Sequence, residues 1–173
     1  MRSATPSGTC WCATAASSTR FRALFGDERE DYGRALDRHY AEGPRPDWSA
    51  RFVSSYATAH PLEDFAETWT HYLHIVDMLD TAEAFGLRFA PAIDPNGEHA
   101  AKVDFDPYGL GSMADIMDRS TPMVVSMNSI NRAMGRPDLY PFVLAPGVIE
   151  KLGFIHDLVR GARRLQTRPA TRV

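Results

Sequence analysis

Residues 60–74, HPLEDFAETWTHYLH, carry two glutamates, one aspartate and three histidines, with Phe65, Trp69 and Tyr72 among them. Carboxylate and imidazole are the side chains that bind divalent metals and move protons near neutral pH, so chemistry is sought here first. At about 100° per residue, Glu63, Glu67, Thr70, His71 and His74 share one stripe of a helix. Such a stripe has an ordinary reading as a solvent face. Glu63 and Asp64 in a first turn complement the helix dipole, and Glu67 with His71 is a common i,i+4 pair. It also has a chemical reading, because His71 and His74 are near enough to reach one metal ion together with Glu67. Neither glutamate has a histidine three residues on, which argues against the E-x-x-H pattern of di-metal carboxylate bundles. Tyr56 stands seven residues before Glu63 and could bring a phenol to the same place.

The other polar candidates read more plainly. His60, just before Pro61, belongs to an N-cap region, and His99 and His156 are isolated and structural or exposed. Asn128, Asn131 and Arg132 in MNSINRAMGRPDLYP suit helix capping and loop anchoring, with a substrate-cleft role open. Cys10 and Cys12 form a C-x-C without a second pair, short of the four ligands of a structural zinc site. The seven methionines fall at helical spacing and read as core filler.

Positioning such residues requires helices, and the chain is rich in helical pattern. FRALFGDEREDYGRALDRHYAEG predicts a short helical turn, a break at Gly26, and a helix with Asp27 as N-cap and Tyr32, Leu36 and His39 or Tyr40 as its apolar stripe. Pro61 predicts the first turn of the central helix, which runs to about Phe85 with Gly86 just past its end. Leu62, Ala66, Trp69, Leu73 and Val76 are its expected core stripe. RFAPAIDPNGEHAAKVDFDPYGLGS reads as loop. One helix from about Met113 and another through MVVSMNSINRAMG follow. The last helix, PGVIEKLGFIHDLVRGARR, turns Val148, Leu152, Ile155 and Val159 inward. No repeat and no sheet-forming pattern stands out, so the expected fold is mainly α.

Composition sets outer limits. The chain has 173 residues, 44% hydrophobic and 24% charged, enough for one domain with a core. A net charge of −3 offers no basic field for nucleic acid or an anionic membrane. Without a membrane span or a secretory segment in the sequence, a cytoplasmic location is expected. Residues 1–20 are small, polar and free of acid, and their texture breaks at Phe21. The expected division is therefore an unstructured segment at 1–20, a domain at 21–160, and a flexible basic tail at 161–173.

The blocks FRALFGDERE, RHYAEGP, RFVSSYATAHPLEDFAETWTHYLHIVDMLDTA, NSINRAMGRPDLYPFVL and EKLGFIHDLV resemble the putative zinc-binding metallopeptidase family of bacteria. The resemblance spans nearly all of 21–160. It implies a gluzincin-like helical peptidase domain accompanied in the family by a zinc ribbon. It also implies Glu63 as the third zinc ligand, Glu67 as an outer carboxylate orienting a histidine ligand, and Tyr56 as donor to the oxyanion of an attacked peptide carbonyl. His71 and His74 are outer candidates beside them. A peptide or protein is the implied substrate.

The family's other motif, H-E-x-G-H, supplies two histidine ligands and the general base. No H-E-x-x-H occurs in this sequence. One permitted codon string for residues 1–20, read from its third base, encodes EIGHSFWDVLVRDGGELDA. A preceding cytosine would complete a histidine codon and restore HEIGH. Residues 1–20 are thus expected to be an out-of-frame segment of a truncated or frameshifted member. Without the motif, the chain is expected to lack peptidase activity and stoichiometric zinc. A non-catalytic helical protein-interaction module is the alternative, exposing apolar surface around Trp69.

Overall fold

The structure is a computed structural model, and it describes residues 15–167 other than 93, 95, 98, 99 and 141–143. Five α-helices dominate the described residues: α1 (Ala15–Phe25), α2 (Tyr32–Glu42), α3 (Pro61–Ala84), α4 (Met113–Ala133) and α5 (Pro146–Thr167). The mainly α expectation holds. A two-stranded antiparallel ladder, β1 (Arg88–Phe89) with β2 (Ala101–Lys102), lies inside the segment read as loop.

Helix α1 runs across the expected boundary at residue 20, beginning at Ala15. Phe21 and Phe25 fall one helical turn apart and bury their rings against Phe65 of α3 and Phe154 of α5. Arg20 pairs with Asp157 at 2.7 Å, fastening the same helix to α5. At the other expected boundary, α5 continues through Gly161 to Thr167. Residues 1–14, with Cys10 and Cys12, and residues 168–173 lie outside the described part, as does His99.

Helix α2 starts later than expected. Its N-cap is Asp31, whose carboxylate accepts from the Arg34 N–H at 2.9 Å, while Asp27 caps the preceding turn through the Arg29 N–H. Its buried residue is Ala35, and Tyr32 and Tyr40 are exposed. Between Phe25 and α2 the chain turns at Gly26, where φ is +106° and a Cβ would stand 3.1 Å from the Pro61 ring. Only glycine combines that backbone with that approach.

Helix α3 ends as expected, with Gly86 at φ +60° past the cap. Its inward face is another matter. The buried residues are Asp64, Thr68, Tyr72, Ile75, Val76, Leu79 and Ala82, whereas Leu62 and Leu73 are 47% and 39% exposed. The expected stripe is rotated because α5 supplies polar partners, Lys151 to Asp64 and His156 to Tyr72, at 2.5 and 3.1 Å. Polar side chains satisfied in this way can face a core. Helix α5 behaves as predicted: Val148, Leu152 and Ile155 are buried together with Phe154 and His156. His156 is structural, held between the Tyr72 hydroxyl and the Leu110 carbonyl.

The two helices expected between 113 and 135 form one, with Pro122 inside it. A proline ring removes one rung of the backbone ladder. Around it, Ser120 and Thr121 donate to the Met117 carbonyl, and Ser126 donates to that of Pro122.

Candidate functional site

Glu63 occupies the first turn of α3, where Pro61 and the His60 cap set the start of the helix. The His60 Nδ1 accepts from the Leu62 N–H at 3.1 Å, so its Nε2 carries the proton and donates to the Glu30 carbonyl. Both nitrogens are used and the ring is buried, as an N-cap role requires. Glu63 itself is half-buried and accepts a hydrogen bond from the Tyr32 hydroxyl of α2. Tyr32 is pushed up to about 12, first by that bond and then by loss of hydration. Tyr56 is raised as well, first by burial and then by the negative charge of Glu63. Tyr40 and Tyr32 also bear on its hydroxyl, and the His39 ring lies edge-on to it at 5.9 Å. Two phenols, Tyr32 of α2 and Tyr56 of the 56–58 turn, therefore bear on one carboxylate.

One turn further along α3, Glu67 accepts from the Ser54 hydroxyl. That oxygen in turn accepts from the Ala57 N–H at 3.0 Å, and Thr58 donates to the Ser55 carbonyl at 2.7 Å. The short turn carrying Tyr56 is thus fastened to the helix carrying Glu63 and Glu67. Another turn on, His71 Nδ1 lies 2.6 Å from the Tyr140 hydroxyl. Burial lowers the His71 pKa, assisted by His74 and opposed by Glu67, and burial raises that of Tyr140. The Tyr140 backbone is held by Asn128, which donates to its carbonyl at 2.7 Å and accepts from the Leu139 and Tyr140 N–H groups. Asn131 and Arg132 anchor the same loop at Pro137 and Asp138. His74 is exposed, its ring centre 6.2 Å from that of His71.

Of the residues singled out by spacing, Tyr56 and Glu63 come together, Glu67 sits beside them on the loop side, and His71 and His74 lie further along the helix. Tyr32, Ser54, Tyr140 and Lys151 carry no signal in the sequence, since each reaches α3 from another segment with no motif of its own. Asp64 was expected only to complement the helix dipole from the first turn. It is buried and paired with Lys151. A polar cleft of about 440 Å³ opens between α2 and the 57–61 segment, with Arg38, His39 and Arg45 in its wall.

A family model described as "Putative zinc-binding metallo-peptidase" matches residues 10–158. The chain belongs to that family. Uncharacterized proteins of Mycobacterium tuberculosis and Mycobacterium bovis are each 50% identical to it over 141 residues, covering 82% of this chain. That match is 39% of each relative, so the chain spans about two-fifths of the length of these relatives. No solved structure matches the chain.

The family's description implies a zinc ion. Among the described residues no three His, Cys, Asp or Glu side chains converge on a point that could hold a metal. Each candidate donor already has a neighbour: Glu63 has Tyr32, Glu67 has Ser54, and His71 has Tyr140. A catalytic zinc needs three protein ligands and an open position. The described residues do not by themselves fit a zinc cage.

Proposed function

We propose that the corner formed by Tyr32, Tyr56 and Glu63 is the third-ligand side of a gluzincin-like peptidase centre, and that this chain on its own does not hydrolyse peptides. In this reading Glu63 is a metal ligand, Glu67 an outer carboxylate, and the Tyr56 hydroxyl a donor to the oxygen of an attacked peptide carbonyl. His71 and His74 serve as outer residues along the same helix. The observation that carries the reading is the placement of Glu63: half-buried, gripped by one phenol and close enough for its charge to raise the pKa of another, instead of turned to bulk water. Exposed Leu62 and Leu73 on the same helix are consistent with a surface that a further segment covers. The proposed substrate is a peptide or protein. The proposed setting is the cytoplasm, and no described helix is long and apolar enough to cross a membrane.

The test pairs this chain with a version in which residues 1–20 are replaced by HEIGHSFWDVLVRDGGELDA. Zinc content by mass spectrometry and hydrolysis of a peptide library are measured on both. The replaced form is expected to hold one zinc that Glu63→Ala removes, and the original form to hold less than one and cleave nothing. One tightly bound zinc in the original chain, indifferent to Glu63→Ala, refutes both the ligand assignment and the inactivity.

A further inference from the structure

Lys151 lies on α5 with its side chain 4% exposed, and the Asp64 side chain is 1% exposed. The ammonium donates to Asp64 Oδ2 at 2.5 Å and to the Arg51 carbonyl at 2.7 Å, and it stands 4.1 Å above the Phe52 ring. A second ring, Phe25 of α1, lies 5.5 Å away. Every direction of the cation is used. The second oxygen of Asp64 takes a longer contact from the Thr68 hydroxyl at 3.4 Å.

Burying such a pair is a poor way to gain stability. Removing both charges from water carries a large desolvation penalty, and apolar replacements of similar shape are often at least as stable. What the pair provides is geometry. Asp64 directly follows Glu63, so fixing its carboxylate fixes the rotation of the first turn of α3 and the direction in which Glu63 points. The Arg51 carbonyl belongs to the segment that reaches Ser54 and Tyr56 within five residues. One ammonium therefore grips both walls of the corner, from a position 87 residues along the chain from Asp64.

We propose that Lys151 is a positioning residue for the Tyr56–Glu63 corner, setting the distance and orientation between the first turn of α3 and the 51–58 segment. The inference rests on reading Tyr56 and Glu63 as one site but not on any zinc bound there. Asp64 and Arg51 act with Lys151, the first as its counter-charge and the second through its backbone oxygen.

The single substitution Lys151→Met strands the buried Asp64 carboxylate and can prevent folding, so the deciding variant is Lys151→Met with Asp64→Leu. It approximates the shape of the pair and removes both charges, leaving the Arg51 carbonyl without its donor. Carbon-13 NMR at neutral pH on glutamate-labelled chain reads the Glu63 carboxyl, whose resonance in Tyr32→Phe marks the position without the phenol. Leu79→Ala, a cavity at a fully buried site in the distal half of α3, is the control for lost stability alone. In the double variant the Glu63 resonance is expected to move most of the way to its Tyr32→Phe position while the chain still melts cooperatively. In Leu79→Ala the melting temperature falls and the resonance stays. A Glu63 resonance unchanged in the double variant, or shifted equally by Leu79→Ala, overturns the proposal. Because no zinc enters this measurement, its failure is distinct from failure of the peptidase reading.

Discussion

Replacing Asn128 by alanine tests how far the site depends on a loop that is remote in sequence. The Asn128 carboxamide is fully buried and makes three bonds to the 139–140 backbone, at 2.7, 2.9 and 3.4 Å. A hydrogen bond of this kind contributes about 1 kcal/mol net, and the longest of the three contributes less. Leu139 is 58% exposed and Tyr140 partly so, so water can reach the released segment and the full penalty for buried unsatisfied groups does not apply. The loss is about 2–3 kcal/mol, equivalent to roughly 4–12 °C for a chain of this length. The consequence for the site is separate. Tyr140 reaches His71 only while its backbone is anchored, so the His71 pKa, now held below its usual value by burial, rises toward 6.5 in the variant. Urea unfolding measures the first effect and proton NMR titration of the histidines the second. A loss under about 0.5 kcal/mol sinks the hydrogen-bond accounting. Full destabilisation with an unmoved His71 sinks the link from Asn128 through Tyr140 to the helix.

Gly26→Ala is expected to cost about 1–3 kcal/mol, since φ of +106° is strained for alanine and its methyl would press on the Pro61 ring at 3.1 Å. Unchanged urea unfolding would show that the turn relaxes freely. The buried pair also carries a pH signature. Burial pushes the Asp64 carboxyl up to about 6, against the pull of Lys151, while an unfolded chain has its ordinary 3.8. Between those values the folded state holds the extra proton, so this group adds stability as the pH falls and withdraws it as the pH rises through 6. Relative to Asp64→Asn, the parent chain should therefore gain stability between pH 7 and about 5. A difference that stays constant or reverses over that range would mean the carboxyl is not raised.

The long helices could be read from local pattern alone. Pro61 and Gly86 bracket α3 because a proline suits a first helical turn and a glycine the left-handed residue beyond the end. The α5 stripe of Val148, Leu152 and Ile155 was equally plain, for a face of uninterrupted aliphatics has one place to go. Local pattern failed where polar residues are buried. Asp64 and Thr68 look like solvent positions until Lys151 is placed beside them, and Leu62 and Leu73 then turn outward. The same limit applied to α2, where two nearby aspartates could each cap a helix and the backbone chose Asp31.

For the site, the residue types and spacing of Tyr56, Glu63 and Glu67 were visible in the amino-acid order, because helical periodicity and a seven-residue offset are properties of the chain alone. Which face of α3 they occupy was not, since the rotation of a helix about its own axis is decided by what packs against it. That choice falls to Lys151, His156 and Tyr32, whose contacts close loops of 87, 84 and 31 residues. No local pattern encodes a hydrogen bond across such a span; only the folded chain brings donor and acceptor within reach.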